Sequence, residues 1–503
     1  VQQLSVTDTT LLNLETPTSI GHVSSVAILD PSTCPVPFTF EHLTERVAAR
    51  LPALPQFRRR LYEVPLGLDR PYWIEDPDFD LDYHLRHIAV PAPGDDRRLA
   101  DLVARIHERH LDRRRPLWEI YLIEGLADGR VAVLSKIHHA AIDGITGQEV
   151  LAALVDTEPD APAVTVEDTW RPEQPPAEAG LLVRTVARSM LSPYRILVRS
   201  ARLARQIPAI GPVFTNALFY LGRAGSVEEL IDHPGVAAPR TSFNRAIGAH
   251  RRWAFTSVPL TEVRAVRDDA NNGPGGVLAH GAPVSVNDVV LAVCAGALRR
   301  WIQGRETLPE RSLAALVPVS VSVRRPDGET EHRVAGTITT LATDHDDPVE
   351  RLTAISEAML VVRDHNAVPA QALKDIGQLT PPSVAALAGR LVARTGLAER
   401  FHPPFNVVIA NVPGPDVPLY AAGARVVAHH PISPILDGVG MNLSVTSLGG
   451  QLDFGLIADR DLVPDLWDLA ECIPAALEEL RAAVASRSPR VFEDHGATAN
   501  RGR

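Results

Sequence analysis

Apolar and polar positions alternate along several short stretches of the chain. Residues 21–30 (GHVSSVAILD) and 117–124 (LWEIYLIE) are rich in β-branched and apolar side chains and read as strands. Residues 131–137 (VAVLSKI) read as a third, buried strand. Residues 99–111 and 145–155 carry helical spacing instead. The mixture recurs later. A helix is predicted over 287–302, with Ser285 or Asn287 near its N-cap. Strands are predicted at 316–323 and 405–410, and a closing helix at 464–486. Residues 440–448 and 451–457 form a predicted hairpin across Gly449-Gly450. Both halves therefore mix α and β, without the regular βαβ alternation of a doubly wound fold. No apolar run approaches the ~18 residues of a membrane span.

One stretch departs from this pattern. Within residues 181–205, Arg184, Arg188, Arg195, Arg199 and Arg202 step by four, seven, four and three, which places them on one helical face among Leu and Val. Pro193 divides the stretch into two predicted helices. It reads either as a basic amphipathic element at a membrane surface or as a docked helix with a solvated Arg face. The preceding residues, 156–180, are rich in Pro, Glu, Asp and Ala and read as an exposed linker. The expected organisation is a first domain over 1–160, a linker and basic helical region over 161–239, a second domain over 240–485, and a flexible tail over 486–503.

Composition adds limits. The 503 residues carry a net charge of −11, and of 50 basic residues only Lys136 and Lys374 are lysines. Between Glu178 and Glu228 there is no acidic residue, so the average conceals a positive window in an acidic chain. Such a chain is a poor nucleic-acid binder. The three cysteines, Cys34, Cys294 and Cys472, form no CxxC pair, and the first residues show no signal-peptide pattern. A reduced, cytoplasmic setting is the expectation.

The segment richest in chemistry is Lys136-Ile137-His138-His139-Ala140-Ala141-Ile142-Asp143-Gly144. It follows the buried strand and precedes a predicted helix, so its side chains sit on a strand-to-helix loop. Adjacent residues of a strand point to opposite faces, so only one His can face a given cleft. Asp143 needs a charged or backbone partner there, and Gly144 permits the turn. Three chemistries compete for a cleft-facing His. A metal site lacks HExxH or a matching Cys/His set. A hydrolase triad lacks GxSxG. A lone general base could deprotonate a substrate hydroxyl for attack on an activated acyl group, which suits an unperturbed pKa of ~6.5.

The spacing HHxxxDG resembles the active-site motif of the CoA-dependent acyltransferase superfamily, which includes chloramphenicol acetyltransferase and peptide-synthetase condensation domains. Other segments are similar to the bacterial wax ester synthase/acyl-CoA:diacylglycerol acyltransferases of actinobacterial type. They are LETPT from residue 14, RRPLWE from 114, PRTSFN from 239, Val286-Asn287-Asp288, VPVSV from 317, NVPGP from 411, and SPILDGVGMNLSVTS from 433. They run in the family's order from residue 14 to 456. His429-His430…Asp437-Gly438 looks like a second copy of the motif, but six residues intervene instead of three, and both histidines read as strand-end residues.

The resemblance implies a mixed α/β fold of two chloramphenicol-acetyltransferase-like domains in tandem, with the active site at their interface. It implies transfer of a long-chain acyl group from acyl-CoA to diacylglycerol, forming triacylglycerol, or to long-chain alcohols, forming wax esters. His139 is then the general base and His138 a supporting or structural residue. Asp143 structures the loop, and Asn287 is the oxyanion candidate. Gly144, Pro116, Trp118 and Asp288 are the substrate-binding candidates, with shaping of the strand and core the alternative for Pro116 and Trp118. No metal or cofactor is expected, acyl-CoA being a co-substrate. The expected lipid partner implies peripheral contact with the inner membrane face or lipid droplets. Alternatives are an acyltransferase using a carrier-protein thioester or another alcohol, and a catalytically silent lipid-droplet or lipid-carrier protein. The intact His138, His139 and Asp143 argue against the second.

Overall fold

The computed structural model describes residues 2–5, 8–9, 12–13, 15–64, 69–142, 155–162, 167–173, 238–272, 283–324, 330–364 and 405–487. Asp143, Gly144, the predicted helix at 145–155 except Val155, the basic stretch at 181–205 and the tail beyond 487 lie outside them.

The strands of the first half are β1 (Gln2–Gln3), β2 (His22–Asp30), β3 (Arg59–Tyr62), β4 (Tyr72–Glu75), β5 (Leu85–Ala89), β6 (Trp118–Glu124) and β7 (Val131–His138). Its helices are α1 (Phe40–Arg50), the single turn α2 (Leu81–His84) and α3 (Asp96–His107). The second half supplies β8 (Arg251–Pro259), β9 (Ala314–Arg324), β10 (Thr330–Thr340), β11 (Val407–Val412), β12 (Tyr420–Ala421), β13 (Ala424–Ile432), β14 (Met441–Leu448) and β15 (Gln451–Asp459). Its helices are α4 (Leu260–Asn272), α5 (Val286–Gln303), α6 (Pro348–Asp364) and α7 (Leu466–Arg487).

Two six-stranded mixed sheets carry the structure. The first runs β12-β13-β2-β7-β6-β5, and the second β10-β9-β11-β14-β15-β8. A small third sheet joins β1, β4 and β3. In the first sheet β2 and β7 are central, antiparallel, and paired from His22–His138 to Leu29–Val131. One face of this pair is buried throughout: Val26, Ile28, Ala132 and Leu134 pack against Leu99, Val103 and Ala104 of α3. Burying each such aliphatic side chain stabilises by about 1.5–3 kcal/mol. The opposite face is half-buried at Val23, Ser25, Ala27, Val133 and Ser135. A second core lies between the second sheet and α4, α5, α6 and α7.

Local chemistry sets the element ends. Ser285 caps α5 in a reciprocal capping box with Asp288: Asp288 N–H donates to Ser285 Oγ at 3.2 Å and Ser285 N–H to Asp288 Oδ2 at 2.8 Å. The β14–β15 hairpin turns at Gly449 and Gly450, with φ of 55° and 84°, the left-handed pair that a two-residue hairpin requires.

The sheets do not respect the boundary expected at residue 240. β12 and β13 come from the second half, and β13 pairs antiparallel with β2, from Arg425–Asp30 to Ile432–Ser24. The physical reason is edge satisfaction: without β13, the central strand β2 would expose its backbone donors and acceptors. β13 also seats on the second sheet. His429 N–H donates to Asp453 Oδ2 at 2.8 Å, and His430 Nδ1 lies 3.1 Å from Phe454 O. A Cβ on Gly455 would lie 1.8 Å from Pro431 O, so only glycine admits this approach. His429 and His430 are thus mid-strand residues, not strand-end residues.

The described parts of the Pro-rich stretch are tied down and not free. Asp156 takes Arg46 at 2.9 Å and Arg50 at 2.5 Å, and exchanges both backbone hydrogen bonds with Tyr420. Arg58 grips both carboxylate oxygens of Asp168, at 2.7 and 2.8 Å. Among the described residues, no helix is long and apolar enough to cross a membrane.

Gly455→Ala is expected to cost about 2 kcal/mol or more, because β13 must lift from β15. Gly450→Asn, at an open left-handed position, should cost about 1 kcal/mol or less. Urea unfolding midpoints of the two variants check this, and equal midpoints would contradict the seating of β13.

Candidate active site

His138 ends β7, and His139 opens a single 3-10 turn, His139–Ile142. The two residues differ in burial. His138 is 1% exposed, on the α3 side of the sheet, while His139 is exposed. Ala140 N–H donates to His138 Nδ1 at 3.1 Å. That nitrogen is therefore the acceptor, and Nε2 carries the proton, donated to Glu15 Oε1 at 3.1 Å.

Glu15 anchors the arrangement. Its Oε1 also accepts Gly21 N–H at 2.9 Å, and its Oε2 takes Arg113 Nη2 at 2.6 Å. Burial alone would raise the Glu15 pKa. His138, Arg113 and the Gly21 N–H together outweigh it and bring the carboxyl down to about 2. Gly21 has room for no side chain, since a Cβ would lie 2.7 Å from His138 Nε2. Its carbonyl accepts His139 N–H at 3.1 Å, so one glycine fixes both Glu15 and the histidine turn.

His139 combines exposure with surrounding protein. Burial around it is the first cause of a lowered pKa, and the neighbouring His138 is the second. A ring that water reaches, held neutral near pH 7 by the protein around it, is suited to accept a proton. Among the described residues, no Ser, Thr or Cys side chain hydrogen-bonds to it. Burial pushes the Cys294 thiol up to about 12 and raises those of Cys34 and Cys472 as well, so none of the three is an activated thiolate.

Beneath His138 lies a polar layer. Lys136, on the same face, is 1% exposed and donates to Ile106 O at 3.0 Å and to Arg109 O, closing the C-terminal end of α3. Burial lowers its pKa to about 8, with Glu119 opposing the shift. His22 Nε2 lies 2.6 Å from His107 O, and Ser24 Oγ lies 2.9 Å from His107 Nδ1. Burial drives both of these histidines well below the usual imidazole range. From the second half, Arg251 reaches Thr18 O and Gly248 O while its N–H donates to Glu108 Oε2. The segment carrying Glu15 and Gly21 is thus held from both halves.

The other expected site residues fall in different places. Asn287 stands at the second position of α5, where its Oδ1 accepts Asn411 Nδ2 at 3.2 Å. Asp288 is fully buried in the capping box, so the expectation that it binds substrate gives way to a capping role. Pro116 and Trp118 are buried too. Trp118 donates from Nε1 to Phe57 O at 2.8 Å and stacks on His84 at 4.4 Å, which makes it core and not a substrate contact. Glu15, Gly21 and Arg113 were not singled out from sequence. Glu15 does fall in the LETPT segment, but nothing local links it to His138.

Comparison with known proteins places the chain in a family. Residues 4–273 match the wax ester synthase/diacylglycerol acyltransferase catalytic domain, and residues 332–481 match the C-terminal domain of the same family. A Mycobacterium tuberculosis protein named as a diacylglycerol O-acyltransferase is 34% identical over 485 residues, 95% of this chain and 98% of the relative. A second from that organism is 37% identical over 433 residues, 86% of this chain and 88% of the relative. The solved wax ester synthase/diacylglycerol acyltransferase of Marinobacter aquaeolei VT8 superposes with a TM-score of 0.66 at 29% identity, covering 96% of this chain and all of that one. The first condensation domain of the calcium-dependent antibiotic synthetase shares the fold, with a TM-score of 0.51 at 15% identity over 97% of this chain and 98% of that one. The chain belongs to the wax ester synthase/diacylglycerol acyltransferase family.

Proposed function

We propose that this protein moves a long-chain acyl group from acyl-CoA to the hydroxyl of diacylglycerol or of a long-chain alcohol. His139 is the general base. The observation that carries the reading is the division of labour between neighbouring histidines: His138 is locked to Glu15 and Ala140, and His139 is open and neutral. His139 takes the acceptor's hydroxyl proton as the oxygen attacks the thioester carbon. The C–S bond then breaks, and the same proton passes to the departing CoA sulfur. No acyl-enzyme forms, so the rate rests on holding both substrates together and on charge stabilisation.

Asn287 is the proposed oxyanion donor. With its Oδ1 occupied by Asn411, Nδ2 is the end left to donate, and it stands in the first turn of α5, where the helix dipole favours negative charge. Glu15 is a positioning residue that acts through His138 and Gly21. The lipid acceptors call for peripheral contact with a membrane face or lipid droplet, and the basic stretch at 181–205 is the proposed contact. The chemistry proposed needs no metal or further cofactor.

Purified protein given labelled palmitoyl-CoA with dioleoylglycerol or hexadecanol should release CoA and form neutral lipid. No CoA release with either acceptor would overturn the reading. His139→Ala should lose about 10²–10⁴-fold in kcat. The acid limb of kcat/KM should lie below the ordinary imidazole pKa, leaving a plateau at neutral pH. A limb above that value would exclude His139 as the base.

Glu15→Gln should lower stability by about 3 kcal/mol at pH 7. Because the folded pKa lies below the unfolded one, this contribution is full above about pH 4.5 and fades as the pH falls toward 2. Urea unfolding of both proteins across that window checks it. A gap that does not narrow in acid would contradict the role given to the carboxylate.

A further inference from the structure

A cleft of about 1080 Å³ is lined by both halves, and neither His138 nor His139 lies on it. The start of α3 and the β6–β7 turn contribute from the first half, and β8, β13, β15 and α7 from the second. Its buried polar groups are acceptors. Asp453 is fully buried, with Oδ1 taking Ser257 Oγ at 2.6 Å and Oδ2 taking His429 N–H at 2.8 Å. Both donors are neutral, and among the described residues no cation pairs with this carboxylate. Burial raises its pKa to about 6, which still leaves it largely ionised at neutral pH. Beside it, His430 is 2% exposed and its Nδ1–H donates to Phe454 O at 3.1 Å. Its Nε2 is therefore a bare acceptor, and among the described residues nothing donates to it. Burial lowers the His430 pKa to about 3, so the ring adds no positive charge.

The exposed part of the cleft is negative as well. Arg97 sits over the Trp467 ring at 5.1 Å and meets Glu471 at 3.3 Å, so that pair is matched. Asp95, Asp96 and Asp128 remain, with Arg130 as the other cation of the cleft and Arg98 3.5 Å from Asp95. Aromatic rings supply the apolar surface: Phe255 lies 4.6 Å from His430 and 5.4 Å from Trp467. A ligand that satisfies this lining must bring donors and positive charge. Among the described residues, no group of three His, Cys, Asp or Glu could hold a metal ion. An ammonium fits better, because it carries three donors on an apolar stem that can lie against aromatic faces. One charge is not enough, since the buried carboxylate and the exposed ones occupy separate parts of the cleft.

We propose that this cleft binds an aliphatic di- or polyamine. One ammonium meets Asp453 and His430, another meets the carboxylates of Asp95, Asp96 and Asp128, and the methylenes between them lie against Phe255 and Trp467. The inference is independent of the acyl-transfer reading, because none of the substrates of that reaction carries an aliphatic amine.

Spermidine would be titrated calorimetrically into the full chain at neutral pH, with magnesium chloride as a probe of diffuse attraction. Asp453→Asn removes the buried charge at nearly constant shape. Asp95→Asn combined with Asp128→Asn removes two exposed charges and keeps the backbone: Asn caps a helix as Asp does, and it tolerates the left-handed φ of 62° at position 128. We expect Asp453→Asn to weaken spermidine about tenfold or more, as loss of a buried charged hydrogen bond does. The exposed pair should weaken it about threefold or more. No spermidine binding by the wild type at millimolar concentration would overturn the proposal. So would unchanged affinity in Asp453→Asn, or displacement of spermidine by an equal concentration of magnesium. If Asp453→Asn does not fold, the exposed pair decides: weakened binding supports the site, and unchanged binding overturns it.

Discussion

The last residue of β7 turns its side chain into the protein, and the site is organised around that constraint. Position 138 points into the protein, where an imidazole needs partners for both nitrogens. Glu15 and the Ala140 N–H supply them. The carboxylate is in turn buried and needs its own donors, which come from Arg113 and Gly21. Each requirement generates the next, and the sequence ends at Gly21, whose carbonyl holds the backbone of position 139. The backbone of His139, the proposed base, is therefore fixed through Gly21 while its side chain stays exposed.

This arrangement explains why the layer beneath the site is polar. Lys136 and His138 occupy the same face of β7, and Lys136 meets the end of α3. A buried ammonium close to a helix C-terminus gives Arg109 O a donor and adds a second to Ile106 O, which Arg109 N–H already reaches. The opposite face of β2 and β7 is uncharged and half-buried at Val23, Ser25, Ala27, Val133 and Ser135. One pair of central strands thus separates a hydrogen-bonded, charged layer from an uncharged face.

Much of the fold was legible because it follows local rules. Alternation marked β2, β6 and β7, the Gly449-Gly450 pair marked a hairpin, and Ser285, one of the two residues offered as the cap, starts α5. The three-residue spacing from Ser285 to Asp288 is itself a capping-box signature, which is why Asp288 is buried at the helix end and not offered to substrate. Family resemblance drew Trp118 toward the substrate, but a large flat indole beside Phe57 and His84 is more stable stacked in the core. What sequence could not show is long-range pairing. Glu15 and His138 are 123 positions apart, and nothing in residues 424–432 names residues 24–30 as their partner. The domain boundary at 240 followed composition, whereas backbone hydrogen bonding followed the open side of β2.

That returning strand has a consequence for how the protein is made. β7 ends at residue 138 and β13 at residue 432, so about 290 residues emerge between them. At ordinary elongation rates this is roughly 15–60 s during which β2 is an open edge on the nascent chain. An unpaired, apolar edge is a template for pairing with another chain. The first half therefore spends a long interval after its own synthesis in its most adhesive form, and the birth of β13, the last strand of the first sheet, is the moment at which the open side of β2 is covered.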